Sequence, residues 1–215
     1  IRVSKGSRLP KGFCSMIGII DYGMGNLYSL SKALERLGYS YEFVSAPERL
    51  QEYSGLILPG VGAFGDAIAN IRELGLDQAI RSYAATNRPI LGICLGMQLL
   101  FDKSEEHGEN TGLGLIGGEA VRFQGDYKVP HMGWNQLRLH REHPLLAGVA
   151  EGDYVYFVHS YHVKCKPEAL LSTSDYYQDV TAIVAQGEVY GMQFHPEKSG
   201  ETGMRLLRNF AVQCE

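Results

Sequence analysis

Short apolar runs and helical periodicities alternate along the first half of the chain. Residues 17–20, 41–44 and 55–60 are apolar runs of strand length, which is typical of buried strands. Between the first two runs, four leucines recur at the spacing of an amphipathic helix that ends at a glycine. A further buried strand over residues 88–94 runs into a helix from about 95 to 101. This order predicts a mainly parallel sheet with helices on both faces.

The second half of the chain has a different pattern. From about residue 115 to residue 194, short strand-like runs follow one another with few helical periodicities between them. Hairpins or added antiparallel strands are therefore predicted in this half. A final amphipathic helix is predicted over about 202–212. Together the two halves predict an α/β fold in a single domain, with extra antiparallel strands in the second half.

Composition and charge exclude several classes of function. Hydrophobic residues make up 45% of the chain and charged residues 20%, as in an ordinary globular protein. The formal net charge is −4 with no run of Lys or Arg, so nucleic-acid binding is not predicted. No apolar stretch approaches the roughly 20 residues of a membrane span. The four cysteines are scattered, which favours free thiols in a reducing cytoplasm and predicts no zinc site.

The first fifteen residues do not follow the pattern of the rest. They are small, basic and non-periodic, and they lack the apolar core of a signal peptide. Met16 stands immediately before the first apolar strand. We expect residues 1–15 to be a leader added for expression and residues 16–215 to form the domain.

A candidate nucleophile lies where a buried strand meets a helix. The sequence Gly-Ile-Cys-Leu-Gly over residues 92–96 is a nucleophile elbow with Cys94 in place of serine. The glycines remove side chains that would collide in so tight a turn. The helix that follows favours the thiolate, which is the reactive form. Taken alone, Cys94 is as well explained as a buried cysteine in a turn.

A histidine and an acid stand together after a late strand. His195 and Glu197 flank Pro196, which restricts the turn between them. A thiol nucleophile needs a base that takes and returns a proton, and a histidine needs an acceptor that fixes its tautomer. This grouping makes Cys94, His195 and Glu197 a predicted catalytic triad. The Pro-Gly-Val-Gly turn over residues 59–62 follows another strand and could present an amide to an oxyanion, although taken alone it is better explained as an ordinary strand-to-helix turn.

Four segments together resemble the class I (triad) glutamine amidotransferases: LGICLGMQLLF, FHPEKS, LPGVGAFGDA and PHMGWN. The likeness extends from Met16 to the C-terminus and implies a flavodoxin-like fold without a cofactor. CLG and HPE occur throughout the family. PGVG, Met97 and PHMGWN are more specific, and they resemble the glutaminases that serve histidine biosynthesis. Glutaminases of anthranilate synthase usually carry His at the position of Met97 and PGPG in place of PGVG.

The resemblance implies a role for each part of the site. Cys94 would attack the side-chain amide of glutamine and form a thioester. His195 would transfer protons, and Glu197 would orient His195. The amides of Leu95 and Val61 would be the oxyanion donors, the second after its peptide reorients. The residues that would hold the amino and carboxylate groups of glutamine are Gly60, Gly62, Gln98, Ser160 and Tyr161.

The resemblance also implies a partner. Ammonia would pass to a separate (β/α)₈ cyclase subunit, for which this chain has neither the pattern nor the room. By family analogy the interface would include Asn26, Trp134, Tyr156 and Lys198. Trp134 could equally be a core residue, and Lys198 an ordinary surface lysine.

Other interpretations have weaker support. The turn over residues 22–28 is similar to a dinucleotide fingerprint but lacks its third glycine, so an interface or packing role is favoured. The acidic segment 102–109 is most simply a solvated surface. We expect His131, His159 and His162 to pack in strands, with His159 near the active site. A free-standing cysteine hydrolase, the glutaminase of another amidotransferase and a non-catalytic subunit of the same fold remain alternatives.

Overall fold

The computed structural model describes residues 15–215, so the predicted leader lies outside the described residues except at its last position. The strands are β1 Met16–Ile20, β2 Ser40–Val44, β3 Gly55–Leu58, β4 Ile90–Ile93, β5 Phe101–Ser104, β6 Asn110–Thr111, β7 Ile116–Arg122, β8 His131–Gln136, β9 Arg138–Leu139, β10 Tyr154–His159, β11 Tyr161–Cys165, β12 Leu170–Asp175, β13 Asp179–Gln186 and β14 Val189–Met192. The helices are α1 Leu27–Leu37, α2 Phe64–Glu73, α3 Leu76–Ala84, α4 Leu95–Leu99 and α5 Gly200–Gln213, with 3₁₀ turns at Pro47–Glu52, Pro144–Leu146 and Pro196–Lys198.

The main sheet combines both predicted strand arrangements. Its order is β2-β1-β3-β4-β14-β13-β12-β9. Every pair from β2 to β14 is parallel, and every pair from β14 to β9 is antiparallel. The α/β prediction, with antiparallel additions in the second half, is therefore confirmed.

The run over residues 154–163, which looks continuous in the sequence, divides between two further sheets. β10 pairs with β8 in a two-stranded sheet, whereas β11 pairs with β7 in the four-stranded sheet β11-β7-β5-β6. The change of sheet falls at Ser160. This residue and Tyr161 therefore lie where two sheets meet, beside the carboxyl ends of the parallel strands.

Apolar side chains fill both faces of the main sheet. In β3, Leu56 and Leu58 pack into one buried cluster, while Ile57 packs into the other. Successive strand residues point to opposite faces, so a sheet that is covered on both sides needs continuous apolar runs. This requirement explains the runs in the sequence. Within residues 15–215, no helix is long and apolar enough to cross a membrane.

Two local predictions change in the structure. The helix after the elbow ends at Leu99, because Phe101 begins β5 and pairs with Ile116 of β7. In the turn that is similar to a dinucleotide fingerprint, Asn26 caps α1 by accepting a hydrogen bond from the Ser29 N–H at 3.4 Å. The Tyr22 hydroxyl donates to the Pro59 carbonyl at 2.8 Å. These contacts agree with the packing role that was favoured for this turn.

Candidate active site

Cys94 occupies the predicted elbow between β4 and α4. Its backbone has φ +54° and ψ −113°, a conformation that is strained for a residue with a side chain. A Cβ atom at Gly92 would lie 2.6 Å from the Gly96 carbonyl oxygen, and one at Gly96 only 1.8 Å from the Leu58 carbonyl oxygen. Both glycines are therefore required by close backbone approach. The elbow holds the Cys94 sulfur at the carboxyl edge of the sheet.

The remaining triad residues follow the neighbouring strand. β14 lies parallel to β4 with Met192 opposite Ile93, so Cys94 and His195 emerge from the same edge. The 3₁₀ turn Pro196–Lys198 brings Glu197 back to the imidazole, and His195 Nδ1 donates to Glu197 Oε1 at 2.9 Å. The side chains of both residues are buried, at 5% and 2% exposure.

The surroundings of His195 favour its charged form. Burial alone would lower its pKa, but interactions with Cys94 and Glu197 outweigh burial and raise the pKa to about 10. Glu197 Oε2 is buried and has no hydrogen-bond partner within residues 15–215, which leaves Oε1 and its bond to His195 as the anchor of the carboxylate. The site therefore holds a charged imidazolium at the cavity that Cys94 also lines.

A cavity of about 330 Å³ opens onto Cys94 and His195. Its wall includes six of the residues predicted for the oxyanion hole and for glutamine: Val61, Gly62, Leu95, Gln98, Ser160 and Tyr161. Gly60 is not in this wall. It packs against the elbow, where a Cβ atom would come within 2.9 Å of Leu95 Cβ. A larger surface cavity of about 680 Å³ near Leu139–Val149 contains none of the predicted site residues.

Gln98 connects several parts of the site. Its Nε2 group donates to the Tyr161 carbonyl at 3.0 Å and to Gln193 Oε1 at 3.2 Å. The amide nitrogen of Gln193 lies 3.9 Å from Cys94 Sγ, within reach of a weak N–H···S hydrogen bond. Both N–H bonds of Gln98 are therefore used inside the protein, and its Oε1 atom remains to accept from a ligand.

Sequence reasoning missed several residues at this site. Glu106, Pro130 and Val158 line the cavity, and the Val158 carbonyl lies 3.8 Å from Cys94 Sγ. His159, which was expected near the site, also lines it. Pro130 begins the PHMGWN segment, and Val158 and His159 directly precede Ser160, so only Glu106 comes from a segment with no motif.

The acidic segment 102–109 is more than a solvated surface, which corrects the expectation from sequence. Glu106 Oε2 accepts a hydrogen bond from the Phe64 N–H at the start of α2, at 2.7 Å. Asp102 accepts from the Gly118 N–H at 2.9 Å, and Glu105 from the Arg122 N–H at 2.7 Å. These hydrogen bonds attach the segment to α2 and β7, and they hold Glu106 at the cavity wall.

His159, which lines the cavity, bonds to His131 behind it. His131 Nδ1 and His159 Nε2 are 2.9 Å apart, and both side chains are buried. His162 is also buried and stacks on Phe123, with ring centroids 4.7 Å apart. Within the described residues, no group of three His, Cys, Asp or Glu side chains is placed to hold a metal ion.

We expect the unfolding free energy to fall as the pH drops from about 6.5 towards 4. Burial lowers the pKa of His131 to about 4. Burial also lowers the pKa of His159 to about 3, although the hydrogen bond to the Tyr161 carbonyl acts in the opposite direction. In this range the unfolded chain binds protons that the folded chain does not, so each histidine adds a slope of up to about 1.4 kcal/mol per pH unit. His195, whose pKa is raised, is protonated in both states below about 6.5 and adds no slope there.

Urea unfolding at about pH 7 and about pH 5 measures this slope. The double variant with His131→Phe and His159→Phe is the control and should have a shallower slope. An equal slope in the two proteins would contradict the assignment to these histidines.

The residues predicted for a partner interface lie on the paired strands β8 and β10, in the turn after His195 and at the start of α1. Trp134 in β8 is 51% exposed, so the core interpretation of this residue is wrong. Tyr156 of β10 lies opposite Trp134, with ring centroids 5.9 Å apart. Lys198 is exposed directly after Glu197, and Asn26 is half-buried at the start of α1.

Comparison with known proteins defines the class first. The family model for glutamine amidotransferase class-I matches residues 18–214. A solved structure described as PurLQS from Thermotoga maritima superimposes with a TM-score of 0.74 at 21% identity, covering 93% of this chain and 99% of that one, a likeness of fold alone. The chain belongs to the class I glutamine amidotransferase family, an enzyme family of the predicted triad type.

More similar relatives identify the branch of the family. The chain is 59% identical over 202 residues to the imidazole glycerol phosphate synthase subunit HisH of Geobacillus kaustophilus (strain HTA426), covering 91% of this chain and 95% of that protein. It is 54% identical over 202 residues to the subunit of the same name from Bacillus subtilis (strain 168), with the same coverage. Within its class, the chain therefore groups with the HisH subunits, the glutaminases of imidazole glycerol phosphate synthase.

Proposed function

We propose that this chain hydrolyses L-glutamine through a thioester on Cys94 and passes the ammonia to a separate cyclase subunit in histidine biosynthesis. The observation that carries the proposal is the convergence of two adjacent strand ends. One presents Cys94 on a strained elbow and the other presents the buried His195–Glu197 pair, and both open onto one cavity. The HisH relatives, named as subunits of imidazole glycerol phosphate synthase, support the choice of pathway.

The first half of the reaction forms the thioester. The Cys94 thiolate attacks the side-chain amide carbon of glutamine and forms a C–S bond, which places negative charge on the amide oxygen. The Leu95 N–H at the start of α4 and the Val61 N–H, once its peptide reorients, stabilise this oxyanion. His195 gives its proton to the leaving nitrogen as the C–N bond breaks, and ammonia departs.

The second half restores the enzyme. His195, now neutral, takes a proton from water as the water oxygen attacks the thioester carbonyl. The C–S bond breaks, glutamate leaves, and the proton returns to the Cys94–His195 pair. Glu197 holds His195 by its Nδ1–H throughout, so Nε2 remains the atom that transfers protons.

The cavity wall supplies groups that suit the other end of glutamine. Gly62 and the Ser160–Tyr161 backbone would hold the carboxylate, while Gln98 Oε1 would accept from the amino group. We propose that Glu106 joins Gln98, because it brings a carboxylate to a wall that, apart from the Cys94–His195 pair, is made of neutral groups. Gly60, which lies outside the wall, would act by letting the turn over residues 59–62 pack closely against the elbow.

The proposed partner is the (β/α)₈ cyclase subunit, docking on the surface that contains Asn26, Trp134, Tyr156 and Lys198. The exposed Trp134 beside the half-buried Tyr156 supports this choice, because aromatic residues are enriched in the buried cores of interfaces. We place the protein in a reducing cytoplasm, an assignment supported by the free thiols of Cys94, Cys165 and Cys214.

Trapping the intermediate tests the proposal most directly. The chain is mixed with glutamine in the presence of the cyclase subunit and its nucleotide substrate, quenched in acid and digested. Mass spectrometry should find a glutamyl adduct on the peptide that contains Cys94, together with glutamate in solution. Glutamate release with the adduct on a different residue, or no release at all, would overturn the mechanism.

Replacing the cavity carboxylate should weaken glutamine binding. We expect Glu106→Gln to raise KM for glutamine about tenfold with little change in kcat, because a charge-assisted hydrogen bond to the substrate ammonium group is worth roughly 1.5–3 kcal/mol. Glu105→Gln, next in the chain but absent from the cavity wall, is the matched control. Equal KM values for the two variants would contradict this role for Glu106.

A further inference from the structure

A row of five hydrogen-bonded polar groups leads from the Asp175 carbonyl, beside Asn135 of β8, to the cavity. Asn135 Nδ2 lies 3.0 Å from the Asp175 carbonyl oxygen and 2.8 Å from His131 Nε2. His131 Nδ1 lies 2.9 Å from His159 Nε2, and His159 Nδ1 lies 2.8 Å from the Tyr161 carbonyl oxygen. The proposed mechanism uses neither histidine.

The two ends of this row fix the direction of every bond in it. A carbonyl oxygen only accepts, so His159 must carry its proton on Nδ1 and donate to Tyr161. If His159 is neutral, its Nε2 accepts, and His131 must donate from Nδ1. At the other end, the Asp175 carbonyl requires an N–H of Asn135, and the same amino group donates to His131 Nε2. Both rings are therefore neutral Nδ1–H tautomers, in agreement with their burial.

The row ends on the Tyr161 carbonyl oxygen, which accepts two hydrogen bonds. The Tyr161 oxygen accepts from His159 and also from Gln98 Nε2, which uses both of its lone pairs. The preceding carbonyl, that of Ser160, accepts from the Phe123 N–H at 3.3 Å. In a trans peptide the N–H points opposite to the C=O, so this bond directs the Tyr161 N–H away from Phe123.

We infer that His131 and His159 are positioning residues. The hydrogen bonds that run in one direction from Asn135 through both histidines fix the orientation of the Tyr161 carbonyl. They thereby fix the Ser160–Tyr161 backbone that faces the glutamine carboxylate. This inference rests on the proposed function for its substrate. The chain of bonds itself does not depend on the reaction. The expected signature is an effect on glutamine affinity rather than on the chemical step.

The first experiment determines the tautomers of His131 and His159 in the wild-type chain. Ring-nitrogen NMR at neutral pH should show His131 and His159 both neutral and both protonated on Nδ1. A proton on Nε2 of either ring, or a charged ring, would overturn the inference. This measurement needs neither substrate nor variant, so it decides the hydrogen-bond chain even if glutamine is not hydrolysed and the proposed function falls.

The second experiment separates binding from chemistry with a matched pair of variants. His159→Asn keeps an amide N–H close to the position of Nδ1, whereas His159→Gln places its amide near the position of Nε2. In the presence of the cyclase subunit and its nucleotide, His159→Gln should raise KM for glutamine about tenfold with kcat within about threefold, as expected for one lost hydrogen bond. His159→Asn should keep KM within about threefold of wild type.

A third variant covers the case in which His159→Gln does not fold. Asn135→Ala removes the donor at the half-exposed end of the row and should raise KM about threefold. Three results would each overturn the inference. The first is an unchanged KM in Asn135→Ala and in any folded His159→Gln protein. The others are equal effects of the two His159 variants and a loss confined to kcat. Wild-type hydrolysis in the same assay shows that such a result leaves the proposed function standing.

Discussion

Cys94→Ala should abolish glutamate release, with a loss of about 10³-fold or more, and leave the chain folded. The thioester cannot form without the sulfur, and removing the nucleophile of a triad leaves only the contribution of the oxyanion hole and of substrate binding. The fold should persist, because the contacts of Cys94 Sγ with Val158 and Gln193 are long, at 3.8 and 3.9 Å. Alanine meets the same backbone strain at φ +54° that cysteine meets.

The assay is glutamate release with the cyclase subunit present, and circular dichroism verifies folding. Cys165→Ala is the matched control, since Cys165 is another free, partly buried cysteine, located in β11 outside the cavity wall. It should retain wild-type activity. A folded Cys94→Ala protein that keeps most of its activity would exclude the mechanism.

The isolated subunit should be nearly inactive, and its partner with bound nucleotide should raise glutamate release by about 100-fold or more. The reason lies in the turn that contains Val61. This residue is 42% exposed, and its N–H belongs to the peptide that joins it to Gly60. Reorienting that amide requires backbone rotation at Gly60, which a glycine allows at low conformational cost. One missing oxyanion donor costs about 10²–10³-fold in kcat, so an amide that turns inward only in the complex would account for the stimulation.

The measurement compares the chain alone, with the cyclase subunit, and with the cyclase subunit and its nucleotide. Trp134→Ala should reduce the stimulation, whereas Tyr177→Ala, at a 75% exposed aromatic residue outside the predicted interface, should not. Full activity without a partner would contradict the prediction. If glutamine is hydrolysed and the cyclase has no effect, the triad stands and the pathway assignment falls.

The features that were predictable from sequence are those that a few neighbouring residues determine. The glycines around Cys94 are required by contacts within the elbow and with the adjacent strand, and they are visible as a motif. His195 and Glu197 bond across a single turn, so their spacing reveals the pair. The buried strands were predictable because a sheet that is covered on both faces needs uninterrupted apolar runs.

The features that were missed depend on pairing between distant segments. The row from Asn135 to Tyr161 needs β8 beside β10 in one register, and no local pattern specifies which strands pair. Glu106 is in an acidic loop whose composition suggests solvent, and its place in the cavity follows from its bond to Phe64 at the start of α2. Gln193 stands next to the predicted motif, but the direction of its side chain depends on the neighbouring helix.

The two-stranded sheet of β8 and β10 displays different residues on its two faces, because successive strand residues alternate. Trp134 and Tyr156 lie opposite each other on the outer face, while His131 and His159 are paired on the inner face. A one-residue insertion in either strand would turn that strand over and exchange the two sets. The predicted docking surface and the histidine row would then be lost together. An insertion of two residues would keep each side chain on its face but would move the opposite pairs two positions apart, so the docking surface and the histidine row both depend on the present register of β8 and β10.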